Sequence, residues 1–229
     1  MKKRAIRIGL AVLGGVAAGV LAIALLARLL TDGEILFQGR NLAAWRSDLA
    51  SPNAAVSNAA YGTVTGQVIP EILRAMREDQ TDSVVRATLV GWLNRLPGVD
   101  IQFVPAEGRR SYAAGSLGDL GPVAAGAVPA LLAAVAGRDE AVRNTALLSL
   151  GRIGCDPDHV LPVLQKCLGD KELRAEAANA LGHFGPLAKD SLPTLIVLAN
   201  IKKDKETRAE AAKAVKLIDP AAAAAAGIK

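Results

Sequence analysis

Aromatic side chains are scarce in this 229-residue chain: phenylalanine, tyrosine and tryptophan together make up 3%. A core without large rings is built from small and medium side chains at close approach. Alanine and leucine supply most of the 51% apolar content, a composition that favours helix packed on helix over a β-sandwich. Cysteine is nearly absent. Cys155 and Cys167 form no framework, and a helix between them would hold their Cα atoms beyond the roughly 7 Å limit for a disulfide. Histidine occurs twice, as His159 and His183, and no nucleophile stands in a recognisable triad motif.

A basic excess is also missing where it would matter. The formal net charge is +5, but residues 1 to 30 hold Lys2, Lys3, Arg4, Arg7 and Arg28 and no acid. Without those five, 22 basic residues face 22 acidic ones. A formally neutral domain gives no support to nucleic-acid binding, which needs basic surface to neutralise phosphates. Lys202, Lys203 and Lys205 cluster locally, but Asp204 and Glu206 interleave them.

One long apolar run is present. Ile8 to Ala27 is free of charge over 20 residues, about 30 Å as a helix, the thickness of a bilayer core. Four positive side chains precede it, and Arg28, Asp32 and Glu34 nearly balance behind it. The positive-inside rule therefore places the N-terminus in the cytoplasm and the following domain in the periplasm or outside the cell. The competing reading is a cleavable signal peptide cut near Ala22-Ile23-Ala24, releasing a secreted domain; its apolar region would be about 7 to 15 residues. The expected organisation is a basic tail (1–7), a transmembrane signal anchor (8–30), a linker (31–40), a helical domain (41–220) and a C-terminal tail (221–229).

Beyond residue 100 the sequence repeats. Stepping from Arg110, Arg143 and Arg174, Leu117, Leu150 and Leu181 lie seven residues on, Gly118, Gly151 and Gly182 eight on, Gly121, Gly154 and Gly185 eleven on, and Pro129, Pro162 and Pro193 nineteen on. Apolar residues such as Val142, Ala146, Leu147, Leu150 and Ile153 recur at matching offsets and mark one face of a helix. The later glycine of each copy stands where a helix ends in a left-handed cap. The earlier one lies inside the helix at a cost of about 1 kcal/mol relative to alanine, which points to a neighbouring helix approaching closely. The proline suits the first turn of the next helix. Each unit reads as helix, turn, helix and glycine stop, and such hairpins must stack to bury their apolar faces.

A second regularity is an aspartate four residues before an arginine: Asp82 and Arg86, Asp139 and Arg143, Asp170 and Arg174, Asp204 and Arg208. The aspartate is placed to cap the second helix of each hairpin, with the arginine one turn along. Isolated surface pairs of this kind contribute only about 0.3 to 0.5 kcal/mol each. Recurrence in every unit points instead to a partly buried ladder.

GPVAAGAVPALLAAVAGRDEAVRNTALLSLGRIG and LPVLQKCLGDKELRAEAANALGHFG resemble HEAT repeats of the bacterial type also found in phycobilisome-lyase relatives. The resemblance is specific over residues 105–219 and looser over 40–104. It implies an all-α, right-handed α-solenoid whose second helices line the concave surface, and a role in binding other proteins without catalysis or cofactor.

LFQG, at residues 36 to 39, matches the core of a site used to remove affinity tags, yet Arg40 stands where such a site has proline. Phe37-Gln38-Gly39, with Leu42 and Trp45 following, resembles the opening of secreted HEAT proteins from some bacterial groups. The tract is read as native, leading into a first helix and then, through SPNAAVSNAAYG, a turn and second helix, with Asn53 and Ser57 at the ladder positions. Residues 97–106 read as an irregular insertion with β-like character.

The face of the second helices turned away from the core is the candidate binding surface. It holds Tyr112, Gly115 and Asp119; Thr145, Leu148 and Arg152; Glu176, Asn179 and His183; and Glu210, Lys213 and Leu217. Of these, Tyr112, Asp119, Arg152, Glu176, Asn179, His183, Glu210 and Lys213 are the candidate contacts to a partner protein. Cys155-Asp156-Pro157-Asp158-His159 reads as a turn rather than a metal site, since its spacing matches no zinc motif. The expected function is a membrane-anchored scaffold outside the cytoplasm; the alternative is a lyase or hydrolase holding a small ligand in the concavity.

Overall fold

A computed structural model describes residues 36–78, 84–96, 101 and 104–228. The anchor segment at 8–30, the expected rung at Asp82 and most of the insertion lie outside the described residues. The described residues form two compact units, one holding residues 36–78 and 106–228 and the other residues 84–96, 101 and 104–105.

The larger unit begins with α1 (Leu42–Leu49) and α2 (Ala54–Thr63). A wider π turn, Val64–Val68, carries the chain from α2 directly into α3 (Ile69–Glu78), so the second helix runs on well past the expected Gly62. α5 (Ala106–Leu120) follows, starting at the last residue of the expected insertion. Then come α6 (Val128–Val135), α7 (Glu140–Ile153), α8 (Pro157–Cys167), α9 (Arg174–Phe184), α10 (Leu192–Ala199), α11 (Lys205–Ile218) and the short α12 (Pro220–Ala225). Helices α3, α5, α7, α9 and α11 pack each against the next, and α6, α8 and α10 lie against α7, α9 and α11. This is a two-layer stack of antiparallel hairpins.

The core follows the repeat. Leu117, Leu147, Leu150, Leu181 and Ile218 on the second helices, and Leu131, Leu164 and Leu195 on the first, are fully buried. Each contributes about 1.5 to 3 kcal/mol relative to exposure. The glycines inside the helices mark the close approaches expected of them. A Cβ on Gly118 would fall 2.8 Å from Ser149 Cα, one on Gly151 2.7 Å from Ala180 Cα, and one on Gly182 3.2 Å from Ala214 Cα. The cap glycines Gly121, Gly154 and Gly185 all have positive φ, +60°, +62° and +55°, which glycine adopts at no steric cost; Gly154 is a left-handed cap, whereas Gly185, at ψ −136°, is not.

Proline placement follows the expectation in two hairpins and departs from it in the third. After Gly121-Pro122 and Gly185-Pro186 the chain makes a 3₁₀ turn, and Pro129 and Pro193 fall in the first turn of α6 and α10. After Gly154 the proline comes three residues later, at Pro157, preceded by Asp156 in a left-handed conformation at φ 54°. α8 therefore starts at Pro157, and Pro162 lies inside the helix rather than at its start. Inside α8, Pro162 forgoes a backbone hydrogen bond that it would not miss in the first turn, and the local Asp-Pro start accounts for its being there.

Residues 106–135 are long and apolar enough to cross a membrane by composition. They form α5 and α6, broken at Gly121 and both packed on α7.

The LFQG tract is structural. Phe37 and Arg40 pair their backbones across a tight turn, at 2.8 and 3.2 Å, with Gln38 and Gly39 both left-handed. Trp45 donates its indole N–H to the Phe37 carbonyl at 2.9 Å, and the Arg40 guanidinium lies 4.4 Å over its ring. Arg40 also pairs with Asp48 at 2.8 Å. Gln38 ties the turn to α3 through its side-chain amide, which donates to Glu71 at 3.0 Å. Phe37, Leu42 and Trp45 are buried, which accounts for the Phe-Gln-Gly…Leu…Trp spacing as a cap on the helical stack.

The smaller unit is described over α4 (Val84–Leu93) and the residues after it. Val90, Leu93 and Ile101 form a small buried cluster with Leu89 and Leu96 against it. The Asn94 side chain clamps Ile101, accepting from its N–H at 2.8 Å and donating to its carbonyl at 3.1 Å. A side-chain amide there imitates the backbone pairing of a strand.

Candidate functional site

The face opposite the core is carried by α5, α7, α9 and α11, whose direct stacking places equivalent positions of successive repeats side by side. Tyr112 is 45% exposed, and Asp119, Arg152, His183 and Lys213 are exposed; Glu176, Asn179 and Glu210 are half-buried. The eight candidate residues thus all reach solvent on one layer.

The stack joins five of them. Arg152 Nη1 donates to Asp119 Oδ1 at 2.9 Å, linking α7 to α5. Asn179 Nδ2 donates to Glu210 Oε2 at 2.7 Å, linking α9 to α11, and Lys213 Nζ donates to the other oxygen of Glu210 at 2.6 Å. Among the described residues, no hydrogen bond or ion pair joins Tyr112 or His183 to another of the eight. Burial pushes the Glu210 carboxyl up, and the hydrogen bonds from Lys213 and Asn179 outweigh it, so the net shift is downward. Glu176 moves the other way: burial raises its pKa, and the Glu206, Glu140 and Glu210 carboxylates add to the effect against a backbone hydrogen bond that lowers it. Glu176 accordingly takes up its proton at a higher pH than an ordinary glutamate.

At its α5 end the surface continues into a hollow of about 510 Å³, in which Asp119 and Val123 face Arg46, Ser47 and Leu49 of α1. The sequence marks α1 as a first helix but not its place beside Asp119, because its residues do not follow the spacing of the repeats. Hydroxyl ties beneath the face were also missed: Ser149 Oγ donates to the Ala114 carbonyl at 2.9 Å, and Ser111 and Thr145 bond at 2.7 Å. The only sequence signal for them is a small polar residue among apolar ones.

The aspartate–arginine ladder exists, with a different connection. Its rungs cross between repeats instead of closing within one helix. Arg110 pairs with Asp139, 29 residues on, and Arg174 pairs with Asp204 at 2.7 Å, 30 residues on. Arg143 reaches Glu172 at 3.1 Å, not Asp170. The arginine side chains are 11%, 17% and 19% exposed at Arg110, Arg174 and Arg143, so the rungs are partly buried. Asp204 also caps α11, accepting from Thr207 N–H at 3.0 Å. The Thr207 hydroxyl and N–H and the Arg174 guanidinium hold the Asp204 carboxyl well below the usual carboxylate range.

Cys155 and Cys167 are both free, at opposite ends of α8. Burial raises the Cys167 thiol. His159 Nδ1 lies 2.7 Å from Asp156 Oδ1 in the exposed turn, and that hydrogen bond raises the imidazole pKa. Among the described residues, no group of three or more His, Cys, Asp or Glu side chains is placed to hold a metal ion.

Stacked hairpins with inter-repeat rungs and a continuous outer face define a helical-repeat protein. The family model described as HEAT repeats matches residues 105–172 and 161–226, over half of the chain, and the chain belongs to the HEAT-repeat family. No curated protein matches the sequence.

Proposed function

We propose that this protein is a membrane-anchored, non-catalytic HEAT scaffold that binds another protein outside the cytoplasm. The family supports the interaction role, since HEAT repeats generally mediate protein–protein contacts. The observation that carries the reading is the outer face of α5, α7, α9 and α11, where polar side chains of neighbouring repeats are held in pairs, Asp119 with Arg152 and Asn179 with Glu210. Ordering side chains before a partner arrives reduces the entropy lost on binding.

In this reading the solenoid is right-handed and these helices line its concave side. The uncharged run Ile8 to Ala27, with its basic flank, supports the anchor and the N-in orientation. The Phe-Gln-Gly…Trp cap supports a bacterial member of the family.

Two experiments test the proposal. A topology reporter fused after Lys229 should be active only outside the cytoplasm; cytoplasmic activity overturns the placement. Photocrosslinkers at Tyr112 and His183 in intact cells should capture one recurring protein that crosslinkers at Leu187 and Val197, exposed elsewhere on the solenoid, do not. Capture that is equal from all four positions overturns the assignment of the face.

A further inference from the structure

Equivalent crevices open at three successive repeats, and the middle one has a different rung. The first, about 360 Å³, contains Arg110 and Asp139. The third, about 720 Å³, contains Arg174 and Asp204. In both, the arginine is neutralised by the aspartate beside it. The middle crevice, about 390 Å³, contains Arg143 and Asp170, yet these two do not pair. Asp170 Oδ1 accepts instead from the Glu172 N–H at 2.9 Å. Arg143 sends only Nη2 outward, to a Glu172 carboxylate that is 59% exposed.

Arg143 Nε is left buried and, among the described residues, without a hydrogen-bond partner. A buried donor on a cation costs free energy until an acceptor meets it. The third crevice shows what the position takes: Arg174 Nε donates to the Asp204 carboxylate and to the Thr207 hydroxyl, each at 3.2 Å. Lys166, exposed at the rim, adds a second positive charge, so the two cations exceed the one lining carboxylate, Asp170, while Leu132, Val135 and Val163 form an apolar wall. The volume lies within the range of about 300 to 1,000 Å³ usual for small-ligand pockets.

We propose that the crevice between the α6–α7 and α8–α9 hairpins binds a small aliphatic carboxylic acid as its anion, the carboxylate accepting from Arg143 Nε and the hydrocarbon lying against Leu132, Val135 and Val163. The site is independent of the partner-binding face, which lies on the other side of the second helices from the core, and stands or falls without it.

The test is a titration of ¹⁵N-labelled full-length protein, in a detergent without carboxylate groups, with sodium hexanoate, following the side-chain Nε–Hε signals of the arginines. The Arg143 signal should shift saturably, with those of Arg110 and Arg174 unmoved, and hexylamine should leave all three in place. Glu172→Gln, which releases Nη2 from its surface partner, should tighten hexanoate binding, and Lys166→Met should weaken it a few-fold. Arg143→Gln should abolish hexanoate binding, read on the ligand by saturation-transfer difference, with helical content retained. An Arg143 signal that does not move, or equal movement of all three arginine signals, overturns the proposal. So does a shift produced by a peptide ending in a leucine carboxylate but not by hexanoate.

Discussion

Arg174 and Asp204 stand 30 residues apart in sequence and 2.7 Å apart in space, and their pairing fastens α9 to the turn that begins α11. The same carboxylate caps α11 through Thr207, so one side chain serves both the junction between repeats and the start of a helix.

Acid should therefore loosen this junction. Asp204 has a depressed pKa in the fold, so its contribution is fully present above the unfolded value of about 3.9 and is lost as pH falls toward the folded value. Urea denaturation at pH 7 should show Asp204→Asn less stable than the wild type, and the gap should narrow steadily from pH 5 to pH 2. A gap that is constant with pH rejects the coupling.

Glycine-to-alanine changes should divide by position. At Gly151 a Cβ meets Ala180 Cα at 2.7 Å and Cβ at 3.0 Å, so Gly151→Ala should destabilise by about 1 to 3 kcal/mol despite the gain in helix propensity. At Gly62 nothing lies within 4 Å of the added carbon, and Gly62→Ala should stabilise by about 0.5 to 1 kcal/mol. Equal effects in thermal unfolding would contradict the close packing of α7 on α9.

Trp45→Phe keeps the ring and removes the donor to the Phe37 carbonyl. The carbonyl keeps its bond from the Arg40 N–H, so losing the indole donor should cost about 0.5 to 1.5 kcal/mol. The tag-removing protease that recognises LFQG needs an accessible chain, whereas Phe37 is 2% exposed and Gln38–Gly39 is held in a turn. The folded protein should resist it, Trp45→Phe should be cut faster, and the urea-unfolded chain fastest. Rapid cleavage of the native protein would show that the turn does not hold.

Arg152→Glu tests binding separately from folding. Both partners of the Asp119–Arg152 pair are over 40% exposed, and such pairs are worth about 1 kcal/mol or less. The substitution should leave the melting curve nearly unchanged while reducing partner capture several-fold, through repulsion against Asp119 and loss of the ordered pair. Unchanged capture would remove Arg152 from the binding face.

Mild acidification should alter the same face. Glu176 protonates above the ordinary glutamate value because of burial and neighbouring carboxylates. The neutral form is favoured by the fold, so this group's contribution to stability is greatest at low pH and diminishes as pH rises through its folded value. Partner affinity should vary with pH just above the normal glutamate range, and Glu176→Gln should flatten that variation. A pH dependence unaffected by Glu176→Gln would assign it elsewhere.

The period of the glycines and leucines determined the hairpins, their stops and the helix faces that are buried, because these depend on residues within one or two turns of each other. It even located the close approaches: a glycine retained inside a helix at Gly118, Gly151 and Gly182 has a local cost that only a neighbour explains. The eight outward positions were legible for the same reason, being what remains once the core face is assigned. Local chemistry overrode the period at Pro162, where Asp156-Pro157 starts the helix early. Only the tertiary structure decided which residues become partners. Arg143, Arg174 and Arg208 each stand four residues after an aspartate, yet Arg110 and Arg174 bond the aspartate of the following repeat and Arg143 bonds a glutamate. Spacing along one chain fixes direction from a helix axis; the distance between two axes, which fixes the pairing, is set by how closely alanine and glycine let the stacked helices approach.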